Sequence, residues 1–584
     1  MTESPVHRLR RARPVLALAL VAFLVGAIVG SQHGGSAASK LADNFVTAWT
    51  HSEYLAMYAD IDPTSQRGSS AGEFASAYEQ AMRTATATRL RVTGRPQLSG
   101  GTVTVPVRVV TRLFGTLSLD FVVPVAEAGE AGLRVHWSRS LTFPGLRQGE
   151  RLTRRTSLPR RATLLARDGS VLAESPSGVA PSEGTRSSPL GEAARAVIGT
   201  VGPVPSARRA ALEAEGVPAN AIVGLSGLER ALDERLRGRP GGELLGGQRL
   251  LAYSAPHAAP AVHTTVSPSI QQAAVSALGG QLGGIVAMQP STGQILAVAG
   301  IGLEGLQPPG STFKMITLTG VLEAHIANPH TVFPYATSAT LDGVKLSNAN
   351  GEECGGSLEL AFAVSCNSVF TPLGVKLGAK RLVDAAEAFG FNHETGVPGA
   401  AESTLPPAGE IQGELDVGST AIGQGQVLAT PLQMALVAAT VADGGRRPQP
   451  SFLPASSSSP NPDVMSASIA RTVRHLMIEV VDEGTGKLAA IPGVTVAGKT
   501  GTAELKSACK APAESSTGEE AKEKGKEEGC SSESEGKNTD AWFAAFAPAL
   551  DPRIVVCTLM VEDGAGGSTA APVARQVLEA GLRR

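Results

Sequence analysis

The sequence predicts a multidomain α+β protein with four parts: a membrane anchor (1–36), a small α+β domain (37–145), an extended linker module (146–262), and a C-terminal domain (263–584) whose antiparallel sheet is flanked by helices. Three observations predict it. An uncharged apolar run follows a basic N-terminus. Helical patterns precede strand patterns within residues 37–145. Strand patterns stand at both ends of the C-terminal part, with helical patterns between them.

Length and composition set the limits. The chain has 584 residues, enough for roughly three to four domains. Its net charge of −2 lacks the basic excess of a nucleic-acid footprint, and an aromatic content of 4% gives little for bases to stack on. Five cysteines are too few for a disulfide scaffold, and none stands in the CxxC spacing of a metal site.

"HRLRRAR" at 7–13 precedes "PVLALALVAFLVGAIVG", Pro14 to Gly30. A basic flank before an apolar run predicts a single-pass anchor with a cytoplasmic N-terminus and the bulk of the chain outside the membrane. A cleaved signal peptide is the competing reading. Disulfides persist outside the cytoplasm. Cys509 and Cys530, which flank a polar loop, are the first candidate pair. Cys354 and Cys366 are the second, and Cys557 in "RIVVCTLMV" reads as a buried free thiol.

In residues 37–145, "AASKLADNFVTAWTHSEYLAMYADI" has helical spacing, "TVTVPVRVVTRLFGTLSLDFVVPV" alternates as strands do, and "GLRVHWSRSLTF" reads as a further strand. In the linker, "ATLLARDGSVLAES" predicts a hairpin at Asp168-Gly169, and "VGLSGLERALDERLRGRPGG" a helix ending at Gly238. Neither part carries a chemical constellation. In the C-terminal domain, "GGIVAMQPSTGQILAVAG" predicts two strands, helices fill much of 311–480, and "VTVAGKTGTAEL" and "AWFAAFAPALDPRIVVCTLMVED" return to strands before a closing helix. One sheet assembled from the two ends follows. The Glu/Lys/Ser-rich stretch at 505–538 reads as a solvated insertion.

The chemistry sits in "QPPGSTFKMITLTGVLEA". Pro308-Pro309-Gly310 allows a helix to begin at Ser311, and Lys314 lies one turn on, on the same face. A serine hydroxyl needs a base, and a lysine is that base only when neutral, which burial favours. Phe313, Met315 and Ile316 are consistent with such burial, and the helix N-terminus suits a developing oxyanion. A lone Ser-x-x-Lys is expected by chance in a chain this long. Two further motifs in order change that: Ser365-Cys366-Asn367 and Lys499-Thr500-Gly501.

With these motifs and their flanks "PPGSTFK", "AIGQGQVLATPLQMA", "AGKTGTAE" and "AWFAAFAPA", nearly the whole chain resembles class B penicillin-binding proteins. "VGLSGLERALDERLRG" resembles the family's dimerisation or linker module, and residues 37–145 resemble the N-terminal domain of the methicillin-resistance type. "LPRRATLLARDG" departs from the family pattern, with Ala166 where an aspartate is usual. The resemblance implies a peptidoglycan D,D-transpeptidase that works through a serine acyl-enzyme, is inhibited by β-lactams, needs no cofactor or metal, and acts beside a glycosyltransferase partner. It implies that Ser311 is the nucleophile, Lys314 its base, Ser365 a proton relay, Asn367 a substrate-backbone contact and Lys499 an electrostatic support. Thr500 would contact the terminal carboxylate, Gly501 would let substrate approach, the N–H groups of Ser311 and Thr502 would form the oxyanion hole, and Gln424 would shape the floor. The alternatives on the same fold are a D,D-carboxypeptidase or β-lactamase, or a non-catalytic envelope scaffold or β-lactam sensor.

Overall fold

The computed structural model describes residues 36–176, 186–454, 461–504 and 539–583. The anchor segment, the 505–538 insertion and the candidate pair Cys509–Cys530 lie outside the described residues. No helix among the described residues is long and apolar enough to cross a membrane. The chain forms two units. One holds the residues up to Arg160 with Pro203–Ala221 and Arg237–Ala258. The other holds Arg161–Gly202, Ile222–Leu236 and the chain from Ala259 onward.

In the first unit, helix α1 (Ala37–Thr50) is capped by Ser36 and buries Phe45, Val46 and Trp49 on one face. Helix α2 (Ala71–Thr84) starts in a reciprocal Ser70/Glu73 capping box and buries Phe74, Tyr78 and Ala81. They cover a sheet of β1 (Ala87–Val92), β2 (Gln97–Ser99), β3 (Thr102–Thr111), β4 (Thr116–Glu127) and β5 (Leu133–Val135), ordered β1-β3-β4-β5 with β2 on β3. In β3 the alternation predicted from sequence is realised, with Val103, Val105, Val107 and Val109 all turned into the core. The strand expected through "GLRVHWSRSLTF" is cut to three residues, and Arg139–Thr142 turn as a 3₁₀ helix. Trp137 here joins the aromatic cluster of Trp49, Phe74, Tyr78 and Phe121.

The second unit is built on a five-stranded antiparallel sheet. Its strands are β6 (Gly283–Met288), β7 (Ile295–Gly300), β8 (Ala497–Glu504), β9 (Thr539–Ala547) and β10 (Ile554–Met560), in spatial order β7-β6-β10-β9-β8. The two ends of the domain do assemble one sheet. The ladder is buried on both faces, as its nearly unbroken apolar runs require. Helices α3 (Pro268–Leu278) and the closing Ala571–Leu582 pack on one face. Pro431–Ala442, buried at all twelve positions, packs against β6, β9 and β10 on the other. Cys557 is a buried free thiol in β10.

The linker hairpin forms between Leu164–Leu165 and Val171–Ala173, turning at Gly169 (φ 83°). The single helix expected up to Gly238 is two short ones, Gly227–Ala231 and Asp233–Arg237, broken at Leu232. At the break the Glu229 carbonyl accepts a hydrogen bond from Arg161 Nη2 at 2.9 Å. The Glu229 carboxylate is wholly buried between Arg161 Nε (2.5 Å) and Arg186 Nε (2.6 Å), and Arg161 Nη1 reaches Asp233 at 2.8 Å. Guanidinium groups paired with and hydrogen-bonded to carboxylates meet the condition under which buried charge is tolerated.

Candidate active site

The nucleophile segment is a turn before it is a helix. Gly310–Phe313 form a single 3₁₀ turn, and α4 (Lys314–Glu323) follows, so Ser311 precedes the α-helix that was expected to begin there. The turn is clamped from two sides by close backbone approach. Gly310 (φ 51°) donates its N–H to the Gly423 carbonyl at 3.0 Å, and a Cβ on Gly423 would lie 2.2 Å from the Gly310 oxygen. On the other side, a Cβ on Gly501 would meet the Pro309 carbonyl at 2.7 Å and Thr312 at 3.0 Å. Strand β8, with Lys499, Thr500, Gly501 and Thr502, is the sheet edge that borders this turn. Gln424, half-buried, follows Gly423 in the other clamp.

The third segment is a strained corner. Helix α5 (Leu358–Ala363) ends at Val364, and α6 (Asn367–Leu377) begins one residue after Cys366. Ser365 links them at φ 61°, a left-handed conformation usually given to glycine at a helix end, which costs roughly 1 kcal/mol or more in a serine. The Ser365 N–H bonds the Phe362 carbonyl and the Cys366 N–H bonds Ala361, so the corner closes α5 while aiming the Ser365 side chain inward.

Two lysines meet at that corner. Lys314 is wholly buried and its Nζ donates to the Ser365 carbonyl (2.7 Å), Asn367 Oδ1 (2.6 Å) and Ser365 Oγ (3.4 Å). Lys499, also wholly buried, donates to Ser365 Oγ (2.9 Å) and the Thr500 carbonyl (3.0 Å). Their Nζ atoms lie 5.4 Å from the Phe370 and Phe362 rings respectively. Among the described residues, no carboxylate is a hydrogen-bond partner of either lysine. Burial, and then the charge of Lys499, hold Lys314 well below the ordinary lysine pKa. Burial alone brings Lys499 down to about 7. Both amines are thus pushed toward their neutral forms, Lys314 by burial and by the charge of Lys499, and Lys499 by burial.

Ser311, Lys314, Ser365, Asn367 and Lys499–Thr502 thus come together from three distant segments, and Gln424 borders them. In this resting geometry Lys314 bonds Ser365 and Asn367, while the Ser311 hydroxyl makes no hydrogen bond to it; such contacts tighten in substrate complexes. Sequence reasoning missed Thr485, whose hydroxyl lies 2.5 Å from that of Thr500, and Ser347, whose carbonyl accepts Asn367 Nδ2 at 2.9 Å. Neither stands in a local pattern that signals its partner. Cys354 and Cys366, the second candidate pair, form a disulfide with 5.8 Å between Cα atoms. Cys354 lies on the strand Cys354–Ser357 that leads into α5, and sequence spacing does not reveal that this strand turns back beside residue 366.

The metal-type grouping among the described residues, Glu359, His475 and Glu479, stands outside this site, with His475 Nε2 3.0 Å from Glu359 Oε1.

Comparison with known proteins agrees with this geometry. A profile described as the penicillin-binding protein transpeptidase domain matches residues 283–579. A penicillin-binding protein dimerisation domain matches 172–246, and an NTF2-like N-terminal transpeptidase domain matches 37–150. The peptidoglycan D,D-transpeptidase PbpA of Mycolicibacterium smegmatis is 34% identical over 429 residues, 61% of this chain and 80% of that one. The peptidoglycan D,D-transpeptidase MrdA of Acinetobacter baumannii is 27% identical over 457 residues, 68% of this chain and 66% of that one. Among solved structures, the D,D-transpeptidase domain of an Eggerthella lenta peptidoglycan glycosyltransferase superposes with a TM-score of 0.56 at 31% identity, covering 72% of this chain and 98% of that one. A ceftriaxone acyl-enzyme complex of Mycobacterium tuberculosis penicillin-binding protein A gives 0.54 at 28%, covering 73% and 98%. The chain belongs to the penicillin-binding protein transpeptidase family, in its class B.

Proposed function

We propose that this chain cross-links peptidoglycan stem peptides as a D,D-transpeptidase, through an acyl-enzyme on Ser311. The observation that carries the proposal is the position of Lys314: wholly buried, one turn after Ser311, held by Ser365 and Asn367, and depressed in pKa by burial and by Lys499. A neutral amine there can take the Ser311 proton as Oγ attacks the carbonyl of the penultimate D-Ala. The N–H groups of Ser311 and Thr502 would hold the oxyanion. The tetrahedral intermediate collapses by breaking the peptide C–N bond. The departing D-Ala nitrogen takes a proton through Ser365, whose hydroxyl Lys499 holds at 2.9 Å. An amine of a second stem peptide then attacks the ester, gives up a proton to the same basic group, forms the new amide and releases Ser311.

Thr500 would anchor the terminal carboxylate and Asn367 the donor backbone, with Gly501 leaving the strand edge open and Gln424 at the floor. β-Lactams would acylate Ser311 and remain. In the cell the chain would be held at the membrane by residues 14–30, with its bulk outside, beside a glycosyltransferase that makes the glycan strands. The test is covalent labelling with a fluorescent penicillin: a stable adduct on the wild type and none on Ser311→Ala. A donor stem peptide with an amine acceptor should then give cross-linked product in excess of free D-Ala.

A further inference from the structure

We propose that the Cys354–Cys366 disulfide is a positioning element of the active site, and that acylation competence therefore depends on oxidation of these two thiols when the chain folds. The proposal rests on the acyl-enzyme reading above.

Cys366 is the middle residue of Ser365-Cys366-Asn367, so the bridge is attached between the two side chains that hold Lys314. Ser365 needs the restraint. Its backbone is left-handed, a serine pays for that conformation, and its carbonyl must stay within 2.7 Å of Lys314 while its hydroxyl stays within 2.9 Å of Lys499. The far end of the bridge is fixed too: Cys354 pairs with Ala336 across the strand Val332–Ala336. Both cysteines are buried, Cys366 completely, so the bridge is set during folding and then shielded from small thiols. Without it, the corner between α5 and α6 is held at residue 366 by its backbone hydrogen bonds and packing alone. Relaxation of Ser365 toward an ordinary conformation would move its oxygens away from both amines, and misplacement of about 1 Å in such a site costs up to about 10²-fold in rate.

The chemistry is thiol–disulfide exchange. The Cys354 and Cys366 thiols lose two protons and two electrons in forming the S–S bond, and a disulfide oxidant, of the protein dithiol–disulfide class, is reduced to its dithiol.

The experiment measures the first-order acylation step and the preceding binding constant for a fluorescent penicillin, using Cys354→Ala, Cys366→Ala and the double variant. If the bridge is the actor, all three lose about tenfold or more in the acylation step with little change in binding, and the losses do not add. Acylation within about twofold of wild type in all three would overturn the proposal. So would loss in Cys366→Ala with a normal Cys354→Ala, because residue 366 would then act by packing alone.

If the variants fail to fold, the protein is reduced with a phosphine, Cys354 and Cys366 alkylated in an aliquot are located by peptide mass, and acylation is followed on the rest of the same sample. A rate that falls as these two cysteines become open to alkylation and returns on reoxidation supports the proposal; a rate that does not change once both are reduced sinks it. Failure of the acyl-enzyme reading is separately visible, as absence of label on the oxidised wild type.

Discussion

Lys314 and Lys499 approach the same hydroxyl, Ser365 Oγ, at 3.4 and 2.9 Å, from opposite ends of the domain sequence. Two buried ammonium groups that share one oxygen repel each other in a low-dielectric site, which favours loss of a proton from the pair. That arrangement supplies a base and a cation side by side.

Removal of the Lys499 charge should be felt at Lys314. In Lys499→Met the coulombic contribution that lowers Lys314 is gone, so the Lys314 pKa rises, though burial still depresses it. The acid limb of the acylation–pH profile should move to higher pH, beside an overall loss of rate. Stopped-flow acylation from pH 5 to 9 checks this; a limb that moves to lower pH or stays in place contradicts it.

Charge at position 314 is not what the site needs. Lys314→Met removes the base and Lys314→Arg keeps a permanent cation, and both should lower acylation by about 10²–10⁴-fold. Near-wild-type acylation in Lys314→Arg would show that the residue acts as a cation.

The buried lysines also make stability depend on pH. The folded pKa of Lys499 is about 7, below its unfolded value of about 10.4. Between these limits the unfolded chain binds more protons than the folded one, so stability rises with pH, by at most about 1.4 kcal/mol per pH unit from this group. Urea denaturation at pH 7 and pH 9 should show a smaller gain in Lys499→Met than in wild type.

The Glu229 cluster should behave as a structural centre. Glu229→Ala leaves Arg161 and Arg186 buried without that carboxylate and should cost about 3–5 kcal/mol, seen as a lower urea midpoint. Labelling of Ser311 by penicillin, at a temperature where the variant is folded, should persist.

Gly501→Ala places a methyl group 2.7 Å from the Pro309 carbonyl and 3.0 Å from Trp542 Cβ, pressing the Ser311 turn off strand β8. Acylation should fall by about tenfold or more, on the scale expected when a nucleophile is displaced by a few tenths of an ångström to 1 Å. Labelling kinetics at fixed antibiotic concentration provide the check.

The sequence carried the parts of this account that are written locally or in ordered motifs. Alternation in Thr102–Thr111 predicted its buried valines, and the spacing of Ser311 and Lys314 predicted a shared face. What it did not carry depends on tertiary approach. That Thr485 meets Thr500 and that the Ser347 carbonyl receives Asn367 are consequences of packing with no local pattern. The helix broken at Leu232 shows the same limit: its periodicity is helical, while the buried Arg161 draws on the Glu229 carbonyl at the break.

The most direct test is the pH profile of Ser311 acylation by a β-lactam in the oxidised wild-type protein. A base depressed by burial predicts an acid limb well below the ordinary lysine range. A rate still climbing tenfold per unit between pH 8 and pH 10, as an ordinary exposed lysine of pKa about 10.4 would give, would contradict the account.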